Sequence, residues 1–262
     1  MFELLIILIV CMSLGSFANV CIYRLPLNKN IALPFSFCPK CNEKIKYIYN
    51  IPIFSFLFLR GRSACCYRKI SLNYPIVEVA IVLAGLYFFY MQGYSWLTIS
   101  SLTLFIGLVI IFMTDLKHNI ILDSVSYFLA LTGIFVSYLD ISPFQNINVL
   151  DSLFGGIVCG IIVYLIAKIY FLVRKSNGLG IGDIKMITMI GFWTGLQTAI
   201  TIVVISAMIG FLVAIVLLLL NKIHWKQPIP YGSLLSVTTI FILIINIHNH
   251  DMIDYFKIIL GN

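Results

Sequence analysis

Charge is what this chain has least of. Only 10% of its 262 residues are Asp, Glu, Lys or Arg, while 61% are hydrophobic and the mean hydropathy is +1.05. Soluble domains carry about a quarter charged residues, and a fold of this size in water has no interior able to hide so much apolar surface. A soluble globular domain is therefore excluded, and the excess must face lipid. Acids are scarcer than bases, 10 against 17, for a formal charge of +7. The bases cluster in one short segment and then recur only at the ends of apolar runs, which is not a nucleic-acid footprint. A basic stretch ahead of the first apolar run is missing, with Glu3 in its place, and so is an A-x-A-like cleavage site. The N-terminal MFELLIILIVCMSLGSFANVCIYR is thus expected to stay as a first transmembrane helix. Internal repeats and low-complexity tracts are absent too. No G-x-S-x-G elbow is present either, so no serine-hydrolase constellation stands out.

What is present is apolar length. Runs able to cross about 30 Å of hydrocarbon fall at roughly 3–22, 76–92, 96–114, 122–139, 150–173, 184–199, 200–220 and 232–247. The expected fold is an all-α integral membrane protein with about eight transmembrane helices and a small cytoplasmic lobe between the first and second. Only Gly195, Gln197 and Thr198 divide the sixth run from the seventh. Charge supports the count. With 23–75 in the cytoplasm, eight crossings bring 115–121, 174–183 and 221–231 to the same side. Sixteen of the 17 Lys and Arg then lie in or beside inner segments: nine in 23–75, with Lys117, Lys168, Arg174, Lys175, Lys185, Lys222 and Lys226. Lys257 falls outside, where Glu3, Asp140, Asp151, Asp251 and Asp254 also lie. This is the positive-inside pattern, and it predicts both termini on the outer face.

The expected organisation is a first helix over 1–22, a Cys-containing lobe over 23–75, and a seven-helix core over 76–262 ending in a short outer segment. The lobe is too small for a large core of its own. It holds Pro26, Pro34, Pro39, Pro52 and Pro75, and should pack as a compact body on the membrane face.

Four of the seven cysteines fall in that lobe, as Cys38-Pro39-Lys40-Cys41 and, after 23 intervening residues, Cys65-Cys66. Disulfides are disfavoured in a reducing cytoplasm. A C-x₂-C turn points two thiolates at one centre, and a second pair completes a tetrahedron for zinc, from which a small lobe would gain folding energy. Adjacent cysteines bind one metal less readily than C-x₂-C. Two readings therefore stand: a structural zinc held by Cys38, Cys41, Cys65 and Cys66, or four reduced thiols.

Two acids stand at inner helix ends, Asp115 in IIFMTDLKHNIILD and Asp183 in SNGLGIGDIKMITMIG. Carboxylates beside hydrocarbon are costly and default to a functional reading, although an acid at a helix end can also reach the interface or act as a cap. Gly178, Gly180 and Gly182 precede Asp183. Glycine permits positive φ and close backbone approach, so this segment is expected to bend and admit an extended substrate. It is not a dinucleotide fingerprint, since no βαβ frame surrounds it. A pair of carboxylates sharing a proton suits peptide hydrolysis with water as nucleophile. The duller alternative is a local ion pair among Asp115, Lys117 and His118. Lys185 can anchor to headgroups or bias the local charge. Asp123 opens the fourth span, where it is expected as an N-cap, with a supporting role at the site as the alternative. A transporter using the acids for ions is disfavoured because they lie at one face and no inverted repeat is present. A scaffold presenting a zinc lobe would leave the glycine-flanked acid unexplained.

With these residues assembled, the chain resembles the type IV prepilin peptidases, bacterial leader peptidases of the GxGD aspartyl class. The resemblance runs through GSFANVCIYRLP (15–26), FCPKC (37–41), IPIFSFLFLRGR (51–62), ISLNYPIVEVA (70–80), TDLKHNIILD (114–123), GIGDIKM (180–186) and IPYGSLLS (229–236). It implies Asp115 and Asp183 as catalytic pair, with Gly180, Gly182, Lys185 and Asp123 around them. It also implies removal of a short basic leader from prepilins or pseudopilins at the cytoplasmic face of the bacterial plasma membrane. Many members also N-methylate the new terminus with S-adenosylmethionine, an activity tied to the cytoplasmic lobe. Two positions depart from the family pattern. Ser63-Ala64-Cys65-Cys66 stands where C-x₂-C is usual, so Cys65 substitutes or the site is incomplete. Ile121-Leu122-Asp123 stands for I-P-D, keeping the acid and losing the proline.

Overall fold

In hydrocarbon the backbone must satisfy its own hydrogen bonds, so long apolar runs become helices. The computed structural model describes residues 2–32, 37–38, 40–41, 43–144, 147–175, 178–220 and 230–260. Among them the helices are α1 (Phe2–Arg24), α2 (Phe54–Phe58), α3 (Asn73–Gln92), α4 (Trp96–His118), α5 (Asp123–Tyr138), α6 (Val149–Arg174), α7 (Ile181–Leu219) and α8 (Tyr231–Leu260). Extended pairing among the described residues is limited to two isolated bridges, Phe37 with Lys44 and Arg62 with Lys69. Pro34, Pro39, Lys222, Lys226 and the side chains of Asp251, Asp254 and Lys257 lie outside the described residues.

Among the described residues, six helices are long and apolar enough to cross a membrane: Glu3–Leu27, Asn73–Gln92, Trp96–His118, Val149–Arg174, Ile181–Leu219 and Tyr231–His248. The run expected at 122–139 forms α5, which has only 16 residues. The runs expected at 184–199 and 200–220 share one 39-residue element, α7, broken at Gly195 with φ 70 and ψ 174. That backbone region is open to glycine and hostile to any residue bearing a Cβ.

The chain divides into two compact units, Met1–Gly93 and Tyr94–Asn262. In the first, α1 packs on α3, with Gly15 so close that a Cβ there would lie 3.0 Å from Glu78 Cα. Glu78 is buried in this seam. Its carboxylate accepts from Asn19 Nδ2 at 3.3 Å and from the Ile53 N–H at 2.7 Å. Ile53 has φ 61 and ψ −54, and the Phe54 N–H reaches Pro52 O at 2.6 Å. This is a tight three-residue turn that a β-branched residue adopts only under strain. The buried carboxylate secures it and ties α2 to the helix pair.

In the second unit α7 packs along α6, α5 and α8, and α4 packs on α8. Trp193 Nε1 donates to Leu129 O at 2.7 Å, joining α7 to α5. A straight α7 would hold Gly182 and Ser206 about 36 Å apart. They are instead linked through three residues: Gly182 lies against Ile121, Ile121 against Gly232, and the neighbouring Tyr231 hydroxyl sits 3.0 Å from Ser206 Oγ. That chain of contacts is too short for a straight helix, so α7 bends sharply at Gly195 and its second arm returns toward its start.

Candidate active site

Asp115 occupies the last turn of α4 and is buried. Its Oδ2 accepts the Ser233 N–H at 2.6 Å, and the Gly232 N–H also donates to the carboxylate. Both amides belong to the first turn of α8, where N–H groups lack intrahelical partners and the helix dipole favours an anion. Asp183 occupies the first turn of α7 and is half-buried. Its Oδ2 accepts the Gly180 N–H at 3.2 Å, closing the turn that starts the helix. The two carboxylates are within electrostatic reach of one another. Sequence positions 68 apart (183 − 115) are therefore brought to one place by three helix ends.

The glycines before Asp183 work differently from expectation. Gly180 has φ −72, and the described positive-φ glycines are Gly61, Gly93 and Gly195. The segment thus uses the missing side chain rather than left-handed backbone. A Cβ at Gly182 would lie 3.1 Å from Ile121 Cβ, and one at Gly178 would strike the Tyr170 ring at 2.5 Å.

Asp123 is not the N-cap of α5. That position is Leu122, with no side-chain cap bond, and the Asp123 carboxylate instead meets Lys185 Nζ at 2.7 Å. A cationic partner offers a stronger, charge-assisted bond than an amide, and an acid in the first helical turn still suits the dipole. Lys185 also lies over the Tyr127 ring, 5.5 Å from its centroid. Asp115 does not turn outward to Lys117 and His118, which are exposed. The groups beside the two acids that sequence reasoning missed are the Gly232 and Ser233 amides, which hold Asp115, and Ile121, which packs against Gly182 and Gly232. The segment IPYGSLLS was visible, but an amide leaves no mark in a residue alphabet.

In the first unit the four loop cysteines converge. Their sulfurs all lie within 4.8 Å of one another, with Cys38 to Cys66 at 3.8 Å and Cys41 to Cys65 at 3.1 Å. The two bridges close the loops that carry them. Four sulfurs at about 2.3 Å from a tetrahedral zinc stand about 3.8 Å apart. The donor set therefore fits zinc, with the Cys41–Cys65 edge opening slightly. Ser63 Oγ donates to Cys38 Sγ at 3.5 Å and lies 3.0 Å from Cys65 Sγ. Burial alone would raise the Cys38 thiol, but the Ser63 hydroxyl and the Lys40 and Cys41 amides bring it down to about 6. Cys41 is pushed up to about 12, chiefly by its hydrogen bond with Cys65.

Known proteins align with both units. The model of the Bacterial Peptidase A24 N-terminal domain matches residues 9–92, and that of the Type IV leader peptidase family matches 102–215. Similar curated proteins are named prepilin leader peptidase/N-methyltransferase. The one from Stutzerimonas stutzeri is 30% identical over 253 residues, covering 88% of this chain and 86% of the relative. Those from Pectobacterium carotovorum (30%; 88% and 89% covered) and Neisseria gonorrhoeae (31%; 86% and 84%) are comparable. No solved structure matches the chain.

Proposed function

The chain belongs to the type IV leader peptidase family, and from that membership we propose that Asp115 and Asp183 are the catalytic pair of a membrane-embedded aspartyl endopeptidase. Its substrates are type IV prepilins or prepilin-like proteins, from which it removes the basic leader. The observation that supports the pair is their convergence: one carboxylate held by α8 amides, the other at the start of α7, within electrostatic reach. In the reaction the ionised member takes a proton from water. The protonated member hydrogen-bonds the scissile carbonyl as the water oxygen adds, and the amine then leaves with a proton. The backbone bonds fix the orientation of each carboxylate before substrate arrives. Gly180, Gly182, Lys185 and Asp123 support the pair by shaping the start of α7.

Zinc at Cys38, Cys41, Cys65 and Cys66 would cross-link the lobe over 23–75 and carry no step of the hydrolysis. The family name of the relatives brings N-methylation of the new terminus to this chain as a proposal, with S-adenosylmethionine as methyl donor.

The test is direct. Purified protein in liposomes, incubated with a full-length prepilin, should yield mature pilin lacking its leader, read by mass spectrometry. Added S-adenosylmethionine should increase the product mass by one methyl group. Unchanged precursor would count against the whole reading.

Eight crossings follow if α5 and both arms of α7 each span once, with α1, α3, α4, α6 and α8. A hydropathic α5 of 16 residues and a sharp break at Gly195 support this count. It places 23–75, 115–121, 174–183 and 221–231 in the cytoplasm, with both termini outside. A topology reporter fused after Leu219 should read cytoplasmic. A periplasmic signal there would reduce α7 to a single crossing.

A further inference from the structure

Ile121 stands in the short turn between α4 and α5, and its side chain is wedged between the beginnings of α7 and α8. On one side is Gly182, where a Cβ would lie 3.1 Å from Ile121 Cβ. On the other is Gly232, where a Cβ would lie 2.7 Å from Ile121 Cδ1 and 3.1 Å from Asp115 Oδ2. Gly182 is bonded to Asp183. Gly232, with Ser233, supplies the amides that hold Asp115. The isoleucine side chain is therefore packed against both supports of the pair.

Neither support is free to drift from it. The Tyr231 hydroxyl lies 3.0 Å from Ser206 Oγ and 3.2 Å from Val203 O, tying the first turn of α8 to the returning arm of α7. Asp123, two residues beyond Ile121, is bonded to Lys185, two residues beyond Asp183. A wedge held from both sides transmits its width, because close-packed contacts resist compression and lose attraction when opened.

We propose that Ile121 is a positioning residue, a spacer whose width sets the separation of Asp115 and Asp183. This rests on the reading that those two acids are the catalytic pair. The spacer touches neither water nor scissile bond. It acts through Gly182 and Gly232, and it accounts for why both lack a side chain.

The experiment compares wild type, Gly232→Ala, Ile121→Val and the double variant Gly232→Ala/Ile121→Val in liposomes, measuring kcat and KM on prepilin. Gly232→Ala pushes a methyl into Ile121 Cδ1. A displacement approaching 1 Å should cut kcat by up to about a hundredfold, with KM nearly unchanged. Ile121→Val removes Cδ1, the nearest colliding atom, and leaves Cγ1 3.0 Å and Asp115 Oδ2 3.1 Å from the added Cβ. The double variant should therefore recover about tenfold over Gly232→Ala, well above the product of the single effects. A double variant no better than Gly232→Ala overturns the proposal.

Should Gly232→Ala fail to accumulate, Ile121→Ala opens the gap without any clash. It should lower kcat about tenfold at constant KM, and an unchanged kcat overturns the proposal equally. Asp115→Asn and Asp183→Asn, assayed alongside, separate the two failures. If either retains activity, the catalytic pair itself is wrong. If both are inactive and no rescue occurs, only the spacer is wrong.

Discussion

Asp115→Asn and Asp183→Asn should each lower prepilin cleavage at least about a thousandfold while leaving membrane insertion and protein level unchanged. Asparagine has nearly the shape of aspartate, and its amide oxygen can still accept a backbone N–H. The Ser233 amide can therefore keep its bond to residue 115, and the Gly180 amide its bond to residue 183. What asparagine cannot do is take a proton from water or deliver one to the leaving amine. The two variants thus remove chemistry and spare the helix starts. Because the acids act as one unit, the double variant should be no slower than either single one. Methyl transfer, measured on pilin already cleaved, should persist in both, since the cysteine lobe belongs to the other compact unit. Full processing by either variant would remove the paired-carboxylate mechanism.

Purified protein should carry one zinc per chain, and Cys38→Ser should lose it, with the 23–75 lobe becoming sensitive to protease. Structural zinc in small peptides is worth roughly 10–16 kcal/mol of folding free energy at neutral pH, so a lobe of this size would not keep its shape without it. Binding requires thiolates, and two of the thiols sit at opposite extremes. Cys38 is lowered from 9.0 to about 6, so in the metal-free lobe its ionisation favours the folded form fully above pH 9. That contribution is lost as the pH falls through about 6. Zinc capture should weaken over the same fall. Cys41, raised to about 12 while its proton is shared with Cys65, must surrender that proton on binding. Zinc uptake at neutral pH should therefore acidify a weakly buffered solution, read with an indicator dye. Fresh protein with no zinc would favour the reduced-thiol reading.

The two acids were legible because acids are so few: ten in 262 residues makes each one costly to leave unexplained. The helical runs were legible for the same physical reason, and the weak division near Gly195 marks the place where α7 breaks. Other features depend on distant partners that periodicity does not encode. Asp123 looked like a cap because a helix-opening acid usually finds amides, while its partner Lys185 lies 62 positions away. The glycines of the Asp183 segment suggested bending, yet the need for them comes from Ile121 and Tyr170 crowding in from elsewhere. Ser63 read as a lost ligand, whereas it donates to the cluster through its hydroxyl.

The bond from the Ser233 amide to Asp115 joins positions 118 residues apart. At ribosomal speeds Asp115 emerges roughly 6 to 24 s before the group that will hold it. During that interval α4 can already occupy the bilayer, but its acid has no amides to orient it. If Asp115 and Asp183 are the catalytic pair, as proposed, the pair is complete only once the start of α8 has been made. Until then the acid of α4 is a buried carboxylate without its two amide donors, a cost that entry of α8 removes.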